Sequence, residues 1–252
     1  MSSQKNASFA LKSTLILSLL VFYNLYVDYI IEAGIAVMLL WFGADFLNKC
    51  GEDKPPLKQS ILNKDNWRAS AKYGLSAICG SAGLGFLLFY ILSYVHPEYL
   101  LKMDLESVEY SLYYIALVVL AVPVGEELIF RKIVLSTLHL KFGFFYSALI
   151  SSILFGLAHD NLLGAFYFGM ALCYLVKLTK SLFFTILIHC SNNAFVSILD
   201  YLFDDPSLTN EEKILELQEP WVALLIGILI FIGIPSYKWV WNNIKDDFRQ
   251  KF

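Results

Sequence analysis

The chain has 252 residues, 58% hydrophobic and 16% charged, with a mean hydropathy of +0.59 and a net charge of −3. An ordinary soluble domain carries about 45–50% apolar and about 25% charged residues, so this balance excludes an ordinary water-soluble fold and points to the bilayer. The small negative charge gives no basic footprint for nucleic acid, and Cys50, Cys79, Cys173 and Cys190 lack the spacing of a disulfide framework or a zinc cluster.

Lys5 and Lys12 precede the apolar run STLILSLLVFY. No small-x-small cleavage site follows it closely, so a retained first membrane helix is expected and not a signal peptide. A spanning helix needs about 20 mostly apolar residues. Eight stretches meet or approach that length: 9–27, 29–47, 70–94, 110–139, 143–159, 161–177, 181–200 and 221–241. The expected fold is all-α, a polytopic membrane helix bundle forming one integral-membrane domain over residues 1–252. Its polar, motif-bearing core falls within 110–200.

Charge placement tests that count. Alternate connections collect the cations: Lys49, Lys54, Lys58, Lys64, Arg68, Lys141, Lys180, Lys245 and Arg249 fall on one side, and only Lys102 and Lys213 on the other. Cytoplasmic connections are enriched in Lys and Arg. Both termini are therefore expected in the cytoplasm, after an even number of spans. The opposite side is acidic, with Glu98, Asp104, Glu106 and Glu109 in one connection and Asp200, Asp204, Asp205, Glu211, Glu212, Glu216 and Glu219 in another. The connection 48–69 reads as a polar loop. The connection 201–219 has room for a short acidic helix capped by Asp or Ser.

Few ionisable or strongly polar groups remain inside the spans. VGEELIFRKIVL (124–135) places Glu126, Glu127, Arg131 and Lys132 on the fourth. His159 ends the fifth, and His189, Asn192 and Asn193 lie on the seventh. Ionised groups at that depth are expensive unless paired or functional. Glu127 and Arg131 are i,i+4 and share a helix face, so they can form an ion pair. Glu126 is turned about 100° away and is left free to work. Phe155 and His159 are also i,i+4, as are His189 and Asn193. Helix-to-helix polar contacts would explain a lone Asn or His, but two Glu, two His, an Arg and an Asn at shared-face spacings point to chemistry. His139 and Asn192 lack partners at such spacing and read as structural.

These residues resemble a known family. EELIFR (126–131) is similar to the EExxxR motif of the CAAX protease and bacteriocin-processing family, the Abi or Rce1-like intramembrane proteases. FGLAH (155–159) matches its FxxxH motif, and HCSNN (189–193) its HxxxN motif, all in the family's order. The resemblance covers roughly 110–200. It implies an intramembrane endopeptidase acting on a peptide or protein. Glu126 would be the general base that activates water and His159 would help orient it. His189 and Asn193 would stabilise the oxyanion. Glu127, Arg131 and Phe155 would support the site.

A metal-free glutamate mechanism is the preferred expectation, because HExxH is absent and adjacent glutamates on a regular helix cannot easily face one ion. If zinc or another divalent metal is bound, its ligands would be Glu126, His159 and His189, a donor set that leaves an open position. The family implies substrates such as prenylated C-terminal tails or leader peptides, and acidic loops would favour basic ones. The expected location is a prokaryotic plasma membrane. Two other classes compete: a non-enzymatic bacteriocin-immunity or maturation protein, and a proton- or ion-coupled transporter. Transport predicts matched helix breaks in inverted repeats, which the chain does not display.

Overall fold

A computed structural model describes residues 64–102, 115–203, 205 and 207–249, all within the unit Pro56–Phe252. The expected spans 9–27 and 29–47, and the start of the span 110–139, lie outside the described residues. Every regular element among those described is helical. In chain order they are α1 (Lys64–Val95), α2 (Pro97–Lys102), the helical run α3 (117–142), α4 (Phe144–Leu157), α5 (Leu162–Thr179), α6 (Leu182–Phe203), α7 (Asn210–Leu217) and α8 (Pro220–Arg249).

Local signals set most of the breaks. Gly143 has φ 76° and ψ 173°, backbone open to a residue without Cβ, and it turns α3 into α4. Asn161 starts α5 by accepting a hydrogen bond from the Gly164 N–H at 3.0 Å. Lys180, left-handed at φ 52°, closes α5, and its N–H bonds to the Val176 carbonyl. The acidic helix expected in 201–219 forms as α7, but neither Asp nor Ser caps it. Thr209 does, in a reciprocal capping box with Glu212. There the Thr209 backbone N–H, followed by its hydroxyl, holds the Glu212 carboxyl below the usual carboxylate range.

Among the described residues, four helices are long and apolar enough to cross a membrane: Trp67–Val95, Leu162–Thr179, Leu182–Leu202 and Pro220–Arg249. The stretch expected as a span at 143–159 is shorter. α4 has 14 residues, about 21 Å at 1.5 Å per residue, because the chain turns at His159–Asp160–Asn161. α5 is the inner helix, with 67% of its apolar window buried against 28% for α8 and 22% for α6. It packs against α1 and α4, while α8 lies along α1. The outer faces of α6 and α8 present Phe183, Leu187, Leu224 and Phe231. Apolar faces of that extent favour association in water but are solvated by lipid. The fold is therefore an all-helical membrane bundle.

α1 and α8 meet through small residues, which let backbones approach closely. A Cβ built on Gly233 would stand 2.6 Å from the Gly80 Cα. Ser76 donates to the Ile232 carbonyl at 2.7 Å and accepts from the Ser236 N–H at 3.2 Å, tying α1 to the segment around Pro235. Gly233→Ala is expected to push the helices apart and destabilise the fold by about 1–3 kcal/mol, as overpacking does. Gly227→Ala on the same helix, with open space at its Cβ, should be neutral or slightly stabilising. Denaturant unfolding of both variants in micelles checks the contrast.

Candidate active site

The run α3 winds unevenly. Leu117–Ala121 and Leu128–Leu135 form wide turns, with i→i+5 spacing, on either side of a regular stretch, Val122–Glu127. Pro123 and Gly125 thus lie in a continuous helix with altered winding and not at a break. In a wide turn the N–H of residue 123 would reach the carbonyl of residue 118, but proline has none. Asn193 of α6 supplies the missing hydrogen, its Nδ2 donating to the Val118 carbonyl at 2.9 Å. In the second wide turn, Ser151 of α4 donates to the Phe130 carbonyl at 2.9 Å. Each distorted segment is held by a side chain from a neighbouring helix.

Glu126 and Glu127 sit between these turns and have different surroundings. Glu127 is wholly buried, with its Oε1 3.1 Å from Arg131 Nη1 and 2.9 Å from His189 Nδ1. Arg131 is equally buried. Its Nη2 reaches the Gly169 carbonyl at 3.5 Å and its guanidinium lies 4.5 Å from the Phe155 ring centroid. The i,i+4 pairing expected from spacing therefore forms, although the ion pair is not aligned as a hydrogen bond: Arg131 Nη1 and Nε, and Glu127 Oε2, have no hydrogen-bond partner among the described residues. Lys132 is not among the groups that meet at either glutamate.

Glu126 points to two imidazoles. Its Oε1 is 3.8 Å from His159 Nε2, and its Oε2 is 3.3 Å from His189 Nε2. Three of the expected site residues, from α3, the end of α4 and α6, are thus brought together. Phe155 wedges them, with ring centroids 4.4 Å from His159 and 5.6 Å from His189, and Phe168 of α5 adds a second edge at 5.4 Å from His189.

The outer nitrogens orient both rings. His159 Nδ1 is 2.7 Å from the Phe155 carbonyl, and His189 Nδ1 is 2.9 Å from Glu127 Oε1. A carbonyl and a carboxylate can only accept, so each Nδ1 carries its hydrogen. In the neutral rings both Nε2 lone pairs then face Glu126. Acceptors that close need a proton shared among them or a water donating to them. Oε2 of Glu126 is buried without a hydrogen-bond partner among the described residues. Such an arrangement can take up and pass a proton.

Asn193 shares the cavity with His189, as their i,i+4 spacing implies, and also bonds to α3. One of its amide hydrogens is committed to Val118, and one remains. Its Oδ1 accepts from Asn192 at 3.4 Å, and Asn192 Oδ1 accepts from Ser81 of α1 at 3.2 Å. Asn192, which reads as structural in the sequence, lines a cavity of about 290 Å³ with His159, His189, Asn193, Asn161 and Ser81. No local spacing could have found it, since Ser81 is 111 residues away. His139 lies apart, edge-on to Phe144. A larger cavity, about 350 Å³, lies between His139, Phe144, Phe145, Tyr146, Lys177 and Asp247, away from the glutamates, so size alone does not select the site.

The donor chemistry of Glu126, His159 and His189 suits zinc, with each Nδ1 already held by an acceptor. The geometry fits less well. No three His, Cys, Asp or Glu side chains among the described residues converge closely enough to hold an ion.

Residues 108–195 match the family model described as "Type II CAAX prenyl endopeptidase Rce1-like". That range contains all three motifs. The chain is also similar to the "Putative membrane peptidase YdiL" of Bacillus subtilis, 34% identical over 108 residues, which span 42% of this chain and 41% of that protein. No solved structure matches the chain.

Proposed function

We propose that the protein, whose motif-bearing segment 108–195 matches the Rce1-like family model, is an intramembrane endopeptidase that hydrolyses peptide bonds with water activated by Glu126. The observation that carries this reading is the Glu126 carboxylate set between two Nε2 atoms, at 3.3 and 3.8 Å, with one buried oxygen free to accept a proton.

In this mechanism a water in the cavity donates to Glu126, and His159 Nε2 orients it. Its oxygen attacks the scissile carbonyl. The proton taken by Glu126 can pass to His189 Nε2, and Glu127 at Nδ1 then faces an imidazolium. That cation and the second amide hydrogen of Asn193 are donors for the developing oxyanion. Such a donor contributes about 3–4 kcal/mol when it is preplaced. Collapse of the tetrahedral species returns the proton to the leaving amine. Arg131 stays paired with Glu127 through the cycle. Phe155 holds both rings in register.

Substrates are membrane-associated peptides or proteins, a prenylated C-terminal tail or a leader peptide being the two chemistries considered. The segment 110–200 is the catalytic part of a single membrane domain in a prokaryotic plasma membrane. Eight spans leave both termini in the cytoplasm, and labelling of single cysteines placed near each terminus tests that orientation. A peptide library incubated with the purified protein should yield new termini. A library left intact, with a cellular phenotype that survives loss of Glu126, would establish the non-enzymatic immunity reading instead.

Metal-free chemistry is proposed, so treatment with a chelator followed by removal of the chelator should leave the cleavage rate unchanged. Activity lost on that treatment and restored by zinc would instead assign an ion to Glu126, His159 and His189, where it would polarise water or the carbonyl.

A further inference from the structure

Several helices wall the cavity that holds His159 and His189, and its polar lining includes Asn161, Asn192 and Asn193. Two of these amides spend a hydrogen inside the protein, Asn193 on the Val118 carbonyl and Asn192 on Asn193 Oδ1. Asn161 spends none. Its Oδ1 accepts from the Gly164 N–H at 3.0 Å, which fixes which end of the amide is the oxygen. Its Nδ2 donates to no group among the described residues. The amide is nevertheless firmly seated. A Cβ on Gly85 of α1 would overlap Asn161 Nδ2, and one on Gly164 of α5 would stand 2.7 Å from it. Two glycines thus leave the space that this amide fills. A side chain held in that way has little freedom left to lose when it binds a ligand.

Capping α5 does not account for the amide. The cap uses only the oxygen, which Asp, Ser or Thr would also supply. What Asn adds is a donor at a fixed place in the cavity. Asn161 follows His159 by two residues, so their Cα atoms are at most about 7 Å apart. Residues of an extended peptide are spaced about 3.3 Å apart, so a group held by Asn161 lies within about two residues of one held beside His159. A peptide entering the cavity brings main-chain carbonyls that lose water, and each one left unpaired costs binding.

We propose that Asn161 is a substrate-binding residue whose Nδ2 donates to a main-chain carbonyl of the bound peptide, within about two residues of the cleaved bond. The inference rests on the peptidase reading and adds a contact that every peptide sequence can make.

The test uses the full-length protein in lipid nanodiscs and a dye-labelled randomised decapeptide library. Asn161→Asp and Asn161→Ser both keep a capping oxygen and remove the donor, so unfolding midpoints should stay close to that of the wild type. For a decapeptide recovered from the wild-type digest, kcat/KM should fall about tenfold to a hundredfold in both variants. The loss should lie in KM with kcat nearly unchanged, because the bond holds ground state and transition state alike. An unchanged KM in both variants overturns the inference, and so does a loss of activity that only follows a loss of folded protein. A parallel measurement titrates the labelled library onto Glu126→Gln protein with and without Asn161→Asp. Binding weakened about tenfold or more by Asn161→Asp, with no cleavage by the wild type, overturns the peptidase and leaves the Asn161 contact standing. Equal binding in both backgrounds, or binding in neither, overturns the contact.

Discussion

Glu126→Gln is expected to lower peptide cleavage by about 10²–10⁴-fold, the range supplied by a positioned general base. The substitution keeps the size of the side chain and removes only its ability to take a proton. Glu126 makes no ion pair with Arg or Lys among the described residues, and its side chain is 21% exposed. Folding should therefore change little, within about 1 kcal/mol, as for positions outside a buried network. The combination separates this residue from its neighbour: activity collapses and unfolding does not. Initial rates and denaturant unfolding, taken on the same nanodisc or micelle preparation, check both halves. A Gln variant with full activity would remove Glu126 from the role of base, and the proton relay through the two imidazoles with it.

Glu127 should behave in the opposite way. Its carboxylate and the Arg131 guanidinium are both fully buried. Removing one partner of such a pair leaves an uncompensated charge and destabilises by about 3–5 kcal/mol. In Glu127→Ala, Arg131 keeps only a long contact to the Gly169 carbonyl and the face of Phe155. In Arg131→Ala, Glu127 keeps only His189 among its charged neighbours. Replacing both by Ala removes both charges, so the double variant should be more stable than the sum of the single losses predicts, with a coupling of at least about 2 kcal/mol. Strict additivity would mean that the pair carries no net interaction. Glu127→Ala should also slow cleavage at temperatures where the protein remains folded, because His189 Nδ1 then has no acceptor to set the ring. Glu127 thus links stability and chemistry through one imidazole.

Local spacing made part of this site readable. Glu127–Arg131 and Phe155–His159 are i,i+4, and both pairs meet in the fold because that spacing depends only on helical rise and turn. The same rule put His189 and Asn193 on one side of α6, and both line the cavity, but it did not give their partners. They share a face, but one turns to the glutamates of α3 and the other to the Val118 carbonyl. What redirects Asn193 is a hydrogen missing from Pro123, and only the packing of α6 against α3 makes that gap accessible. The span expected at 143–159 was overestimated for a related reason. Apolar composition continues to the turn, and hydropathy does not register where a helix stops.

Composition and periodicity by themselves determined the solvent of this protein, its all-helical class and the membership of its polar core. Burying so many apolar residues with so few charges admits one environment, and the few charges left in apolar helices had to be paired or functional. The tertiary structure alone decided how those groups divide. Glu126 rather than Glu127 faces both Nε2 atoms, and Asn192 joins the cavity beside Ser81. These relations depend on how helices distant in sequence cross and rotate against one another, and no repeat within a single helix encodes that.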